Sequence, residues 1–175
     1  PRFIFAFWEA PSKAPAWEFF QLTTEGTGLR LGREGILRWE CGAGALVRSD
    51  AARIQGTEAW TKTGVAVRIM GHLPATLYDG QLYDQSSAAI IPKQYGHLLA
   101  VWCFCSSPEF RQAVRKIDQK LNVTNATLAK VPFDLAHWQR VAAERYPNGL
   151  PKPHSDDPTQ WLFDGQPRGS DDPLQ

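Results

Sequence analysis

The residues best suited to chemistry in this chain cluster between positions 106 and 134, in "SSPEFRQAVRKIDQKLNVTNATLAKVPFD". Two Asn-x-Thr triplets stand back to back there, Asn122-Val123-Thr124 and Asn125-Ala126-Thr127. Amides and hydroxyls of this kind can accept a glycan, cap a turn, or read the edge of a nucleobase. Upstream, Arg111, Arg115 and Gln119 recur at i, i+4 and i+8, and Lys120 follows. Such a stripe is either a solvated helix face or a row of phosphate contacts. Lys62 and Arg68 are further candidate phosphate contacts, and Gln85 is a candidate base reader. Together with Asn122, Thr124 and Asn125 they complete the candidate set for binding a polyanion.

Other chemistry is poorly supported. Cys103-x-Cys105 with His97 nearby is too few ligands at the wrong spacing for zinc, and both cysteines fall in an apolar run. Ser86, His72 and Asp84 supply the types of a nucleophile, a base and an orienter, but no nucleophile-elbow spacing accompanies them. "TEGTGLRLG" is glycine-rich yet lacks the Lys-Ser/Thr ending of a phosphate loop, and no dinucleotide fingerprint occurs. No catalytic residue and no metal ligand is expected.

The elements that must position these groups read as α+β. With 175 residues, 43% hydrophobic and 21% charged, the chain is long enough for one ordinary domain with its own core. Residues 1–59 read as mostly β and loop, with "RFIFAFWEA", "GILRWE" and "ALVRS" as candidate strands between many glycines. Residues 60–146 read as β-hairpins and then helices. "GVAVRIM" alternates β-branched residues, "ATLYDGQLYDQ" carries an Asp79-Gly80 hairpin signal, and "SSAAIIP" reads as a buried strand. A short helix apolar nearly all round follows from Leu98, then an amphipathic one over about 108–120. In the second, Phe110, Val114, Ile117 and Leu121 are expected to face the core. Its start fits either Ser107 as N-cap or Ser106 paired with Glu109. Asp134 can cap a third helix with Leu135, Trp138, Val141 and Ala142 inward. Residues 147–175 read as an extended, Pro-rich acidic tail or linker, anchored by Trp161, Leu162 and Phe163.

Charge is uneven. Residues 1–59 hold seven basic and seven acidic side chains, residues 60–146 hold ten and six, and residues 147–175 hold two and five. The middle is mildly basic, which suits a polyanion without requiring one. No apolar run approaches membrane-spanning length, three cysteines make no disulfide framework, and the first residues lack a signal layout. A cytoplasmic setting with no membrane partner is expected, so the two triplets are not expected to meet a glycosylation machinery. The chain also reads as one part of a longer polypeptide.

From "SSPEFRQAVRKIDQKLNVTNATLAKVPFD" the layout resembles the target recognition domains of type I restriction specificity subunits: an apolar helix, a Ser-Ser-Pro start, an amphipathic helix, a polar loop, then Leu-x-Lys-Val-Pro. The longer run from Gly56 to Phe163 is similar to the C-terminal region of large bacterial adenine-specific DNA methyltransferases of the type IIG and phage-defence groups, including DISARM- and BREX-type enzymes; residues 1–55 resemble it more weakly. The resemblance implies a target-recognition-like fold, a short twisted mixed or antiparallel sheet with a few packed helices. It implies sequence-specific binding of double-stranded DNA for a restriction-modification system. It also implies an upstream methyltransferase domain of the same polypeptide, which binds S-adenosylmethionine. The Asn/Asp-Pro-Pro-Tyr/Phe motif of that catalytic half is absent from this sequence, so no cofactor is expected on these residues. The division is physically sensible: chemistry on a base requires extruding it from the duplex, so the catalytic pocket cannot also read the surrounding site. The competing expectation is a protein-interaction module, docking through its tryptophan-rich first third and the Trp161–Phe163 anchor. A stand-alone hydrolase is the third, with no constellation to support it.

Overall fold

A computed structural model describes residues 2–9, 16–50 and 52–152 of the chain. The Trp161–Phe163 anchor lies outside the described residues. The fold is α+β: the described residues form seven strands in two small sheets, with four α-helices after the last strand.

The first sheet has the order β1-β3-β2-β6, built from β1 (Ile4–Ala6), β2 (Trp17–Gln21), β3 (Gly35–Arg38) and β6 (Leu82–Tyr83). β1 and β2 flank β3 antiparallel, and β6 joins β2 in parallel. The second sheet has the order β5-β4-β7, from β4 (Gly64–Arg68), β5 (Ala75–Tyr78) and β7 (Ser87–Ile90), all antiparallel.

β4 is the centre of the molecule. Val65 and Val67 face one side with Leu77 and Ala75 of β5 opposite them, and Ala66 faces the other side; all are buried. A strand covered on both faces needs apolar residues at every position, which is why "GVAV" lacks a polar side. On the Val65 face lies α1 (Leu98–Cys105), whose residues are buried except Leu99, as an all-round apolar helix must be. α2 (Pro108–Ile117) adds Phe110 and Val114 to that core, and α4 (Leu135–Arg145) adds Trp138 and Ala142. A chain of aromatic contacts closes it: Phe104 meets Phe110, Phe133 and Trp138 at 5.2–5.3 Å between ring centroids. The Trp102 indole donates to the Tyr146 hydroxyl at 2.9 Å, satisfying a buried N–H.

Several expectations change here. "ATLYDGQLYDQ" is not a hairpin. β5 pairs with β4, and after Gly80 the chain crosses to β2 of the other sheet. Only Gly80 of the Asp79-Gly80 pair has positive φ, at 93°, so the two-residue type I′ turn does not form. The free edge of β5 is instead covered by the segment before β3, through Gly28 N–H to Ala75 O at 3.1 Å and Leu77 N–H to Leu29 O at 3.1 Å. "ALVRS" is a turn, held by Arg48 N–H to Gly44 O, and "WEFFQ" supplies the missing strand β2. The amphipathic helix stops at Ile117, because Asp118 is extended (φ −143°, ψ 115°). Ile117 and Leu121 are therefore not core residues; they are 43% and 67% exposed. At its start Ser107 is the N-cap, accepting from Phe110 N–H, with Pro108 at the first position. Asp134 caps α4 as expected, accepting from His137 N–H at 3.0 Å.

Candidate nucleic-acid interface

The loop between α2 and α4 is built by a few side chains that bind backbone. Asp118, at the C-cap of α2, accepts the Lys120 N–H at 3.0 Å through one carboxylate oxygen and the Thr127 hydroxyl at 3.2 Å through the other. The Lys120 N–H above all, then the Thr127 hydroxyl, hold the Asp118 carboxyl below the usual carboxylate range. Thr124 then caps the one-turn helix α3 (Asn125–Leu128), accepting Thr127 N–H at 3.2 Å. One threonine of the Asn-x-Thr pair is thus a cap and the other is a buried link to Asp118. The capping reading of these triplets holds for Thr124, whereas the Thr127 hydroxyl is a bridge to Asp118.

Arg115 fastens the loop to β4. Its Nη2 donates to the Gly71 carbonyl at 2.6 Å, and Nη1 donates to the Lys120 carbonyl. Between these points the loop runs against the end of β4: Val123 N–H donates to Ile69 O at 2.8 Å, and Gly71 N–H donates to Leu121 O at 3.2 Å. Asn122 bridges Met70 in this short ladder, and Val123 is buried beneath it. Every-second alternation in this extended segment sends Val123 inward and leaves Asn122 and Thr124 at the surface.

Two cavities flank the segment. The first, of about 700 Å³, opens between the two sheets. Its floor includes Phe20, Leu37 and Leu82, which share one face of the first sheet across three strands. Trp39, Trp60 and Tyr83 line it with the exposed amides of Gln85 and Asn125. Trp39 and Trp60 meet edge to face at 5.7 Å. Burial, then the nearby Glu58, push the Tyr83 phenol above its ordinary value. The second cavity, of about 600 Å³, lies at the start of α2 and is lined by Arg111, Arg115, His72, Ser106 and Thr27.

The structure therefore brings most of the candidate set onto neighbouring ground. Gln85 and Asn125 share the first cavity, and Arg111 and Arg115 share the second. Asn122 and Thr124 lie on the segment between, with exposed Lys120 beside them. Arg68, at the end of β4, is held by Glu25 in an ion pair of 2.7 Å. Lys62 is exposed just before the opposite end of β4, a strand ~14 Å long, and stands apart from the rest. Ser86, His72 and Asp84 do not assemble: Asp84 accepts from Ser86 N–H and from Thr23 and lines the first cavity, whereas His72 lines the second. Among the described residues, no three His, Cys, Asp or Glu side chains group as metal ligands, and no helix is long and apolar enough to cross a membrane.

The aromatic lining of the first cavity escaped the sequence. Trp39 and Trp60 are 21 positions apart, on either side of a glycine-rich stretch, and no periodicity links them. Their one signal was tryptophan abundance outside the helices. Compared with known proteins, the chain matches no family model and no curated protein.

Proposed function

We propose that this chain is a double-stranded DNA recognition module that serves an adenine-specific DNA methyltransferase of a bacterial restriction-modification or phage-defence system. The catalytic domain and its S-adenosylmethionine would lie elsewhere in the same polypeptide. One observation carries the reading. The exposed segment Lys120–Asn125 is braced by its own neighbours, Arg115 among them, and sits between a pair of amides and the exposed guanidinium of Arg111. Amides are the side chains that match base edges, and arginines are those that match phosphates. Bracing lets a loop meet the groove without an ordering cost at binding. With no matching family, the reading rests on this geometry and on the residue pattern.

Arg111 and Lys120 are the phosphate contacts in this proposal; Arg68, paired with Glu25, and Lys62, at the far end of β4, are left outside it. Asn122, Asn125 and Gln85 read bases. Thr124 and Arg115 shape the loop. The test is binding to random duplex by fluorescence anisotropy across a salt series. Two engaged phosphates would give a slope of about −1.8 in log affinity against log salt. No binding at low salt would sink the proposal.

A second reading is favoured by a different observation. Trp8, in the first third, is 64% exposed, and Tyr95 is 75% exposed. Large exposed aromatics are enriched where proteins dock. A protein-interaction module would bind a partner subunit or the rest of its own polypeptide through them, and would give no salt-dependent duplex binding.

A further inference from the structure

The cavity between the two sheets has the makings of a ligand site rather than a packing fault. Its volume, about 700 Å³, falls within the range of small-molecule sites. Its lining combines aromatic rings and carboxamides with the charged side chains of Arg2, Arg53 and Asp84. Trp39, Trp60, Tyr83 and Phe20 offer aromatic surface, and Gln85 and Asn125 offer carboxamides that make no side-chain hydrogen bond with the described residues. Each carboxamide presents one acceptor and one donor group side by side. Aromatic walls with such edges suit a planar heterocycle that carries its own donors and acceptors. An aliphatic ligand would use the rings alone and gain nothing from the solvent-exposed amides, and a metal would find no cluster of ligands among the described residues.

We infer that this cavity receives a single nucleobase, stacked against the Trp39–Trp60 wall and hydrogen-bonded at its edge by Gln85 and Asn125. The inference deepens the DNA-recognition reading and rests on it for the source of the base, a nucleotide turned out of the duplex beside the Lys120–Asn125 segment. Asn125 belongs to both features: it opens α3 at the end of that segment and lines the cavity. A base leaving the duplex at that loop therefore has a receiving site next to it. Extrusion is least costly where the base is already unpaired, so an unpaired base is the preferred occupant.

The test uses the full chain and two probes. Calorimetric titration with deoxyadenosine monophosphate examines the cavity alone. Competition between a fully paired duplex and the same duplex with one unpaired adenine examines the base in DNA. Binding of the mononucleotide is expected, weakened about fivefold or more by Trp60→Ala, in line with the effect of removing one stacking ring. Should Trp60→Ala fail to fold, Asn125→Ala and Gln85→Ala, both at exposed positions, are each expected to weaken binding severalfold. The unpaired duplex is expected to outcompete the paired one, and Asn125→Ala to erase that advantage.

Mononucleotide binding without any gain from an unpaired base would keep the nucleobase site and assign it to free nucleotides. No mononucleotide binding at millimolar concentration, or variants that bind like the unaltered chain, would overturn the inference. Salt-dependent duplex binding would then still stand with the DNA-recognition reading intact. Mononucleotide binding with no duplex binding would do the reverse, retaining the cavity site and discarding that reading.

Discussion

The Arg115 guanidinium donates to the Gly71 carbonyl at 2.6 Å, tying the C-terminal half of α2 to the turn that leaves β4. Its other terminal nitrogen reaches the Lys120 carbonyl. A side chain whose spacing suggested a phosphate contact is thus occupied in holding the loop. Carbonyls are otherwise hard to satisfy at a helix end, and a planar fork of five donors serves several at once.

Arg115→Ala should therefore loosen the loop. The expected cost is about 2 kcal/mol, that of losing charge-assisted hydrogen bonds to partly buried carbonyls. Hydrogen exchange at the Val123 and Gly71 amides should accelerate while the α1 amides stay protected. Arg115→Lys should restore little, since an ammonium cannot span the same carbonyls. Unchanged exchange at Val123 would show that the loop stands without the strut.

The same loop should be acid-sensitive through Asp118. Its carboxyl is held below its ordinary value, first by the Lys120 N–H and then by the Thr127 hydroxyl. A carboxyl whose folded pKa is depressed contributes stability fully above its unfolded pKa, here near 3.8, and loses it as pH falls through the lower folded value. Thermal unfolding of the unaltered chain and of Asp118→Asn should differ by a constant amount from neutral pH to about pH 5. The gap should close below 3.8. A gap that ignores pH would assign the loop's order to other contacts.

How legible this was depended on how local each cause is. Caps are local, so Asp134 could be read from residue types a few positions apart, and the start of α2 could be narrowed to Ser106 or Ser107. The burial of α1 was legible because no face of "LLAVWCFC" is polar. The crossing after Gly80 was not, because it is decided by Arg33, Gln21 and the first sheet, some 50 residues earlier. Asp79-Gly80 is a strong turn signal, but a turn does not choose its strand partner. Ile117 and Leu121 kept the helical period beyond the point where Asp118 ends the helix, so pattern outran structure. The site shows the same division. Asn122, Thr124 and Asn125 could be found as one local cluster, whereas the Trp39–Trp60 wall is assembled by tertiary packing.

Arg33 joins the two sheets at a buried ion pair. Its side chain is 2% exposed and meets Asp79 at 2.8 Å, and it also donates to the Leu77 carbonyl at 2.8 Å. Burial lowers its pKa from the ordinary value, and Asp79 opposes that shift. Asp79→Asn should cost ~3 kcal/mol, the lower end for breaking a buried pair, since Asp79 itself is partly exposed. The melting temperature should fall by about 10 °C. Asp50→Asn, at an exposed turn position, should change stability by less than about 0.5 kcal/mol.

Thiol reactivity should report the core. Cys41 is exposed, while Cys103 and Cys105 are buried in α1. Burial pushes the Cys105 thiol up to about 12 and raises that of Cys103. A thiol far above its ordinary value supplies little thiolate, the form that reacts. Titration of the native chain at pH 8 with an aromatic disulfide reagent should release one equivalent rapidly, from Cys41, and all three only after denaturation. Rapid release of two or three from native protein would contradict the packing of α1 against β4.

Positioning and readout should separate in the salt series. Lys120 opens the braced segment and Arg111 lines the cavity at the start of α2; both are exposed cations, so each should contribute one released counterion if it meets a phosphate. Arg111→Ala and Lys120→Ala should each flatten the salt slope by about 0.9 and weaken all duplexes alike. Asn122→Ala and Gln85→Ala should leave the slope unchanged. They should instead narrow the gap between preferred and random sequences by about 1–3 kcal/mol for each base-edge hydrogen-bond pair removed. Lys62→Ala is the internal control, because Lys62 stands at the far end of β4 from the braced segment. A slope altered equally by Lys62→Ala and Lys120→Ala would mean that net charge, and not this surface, sets the affinity.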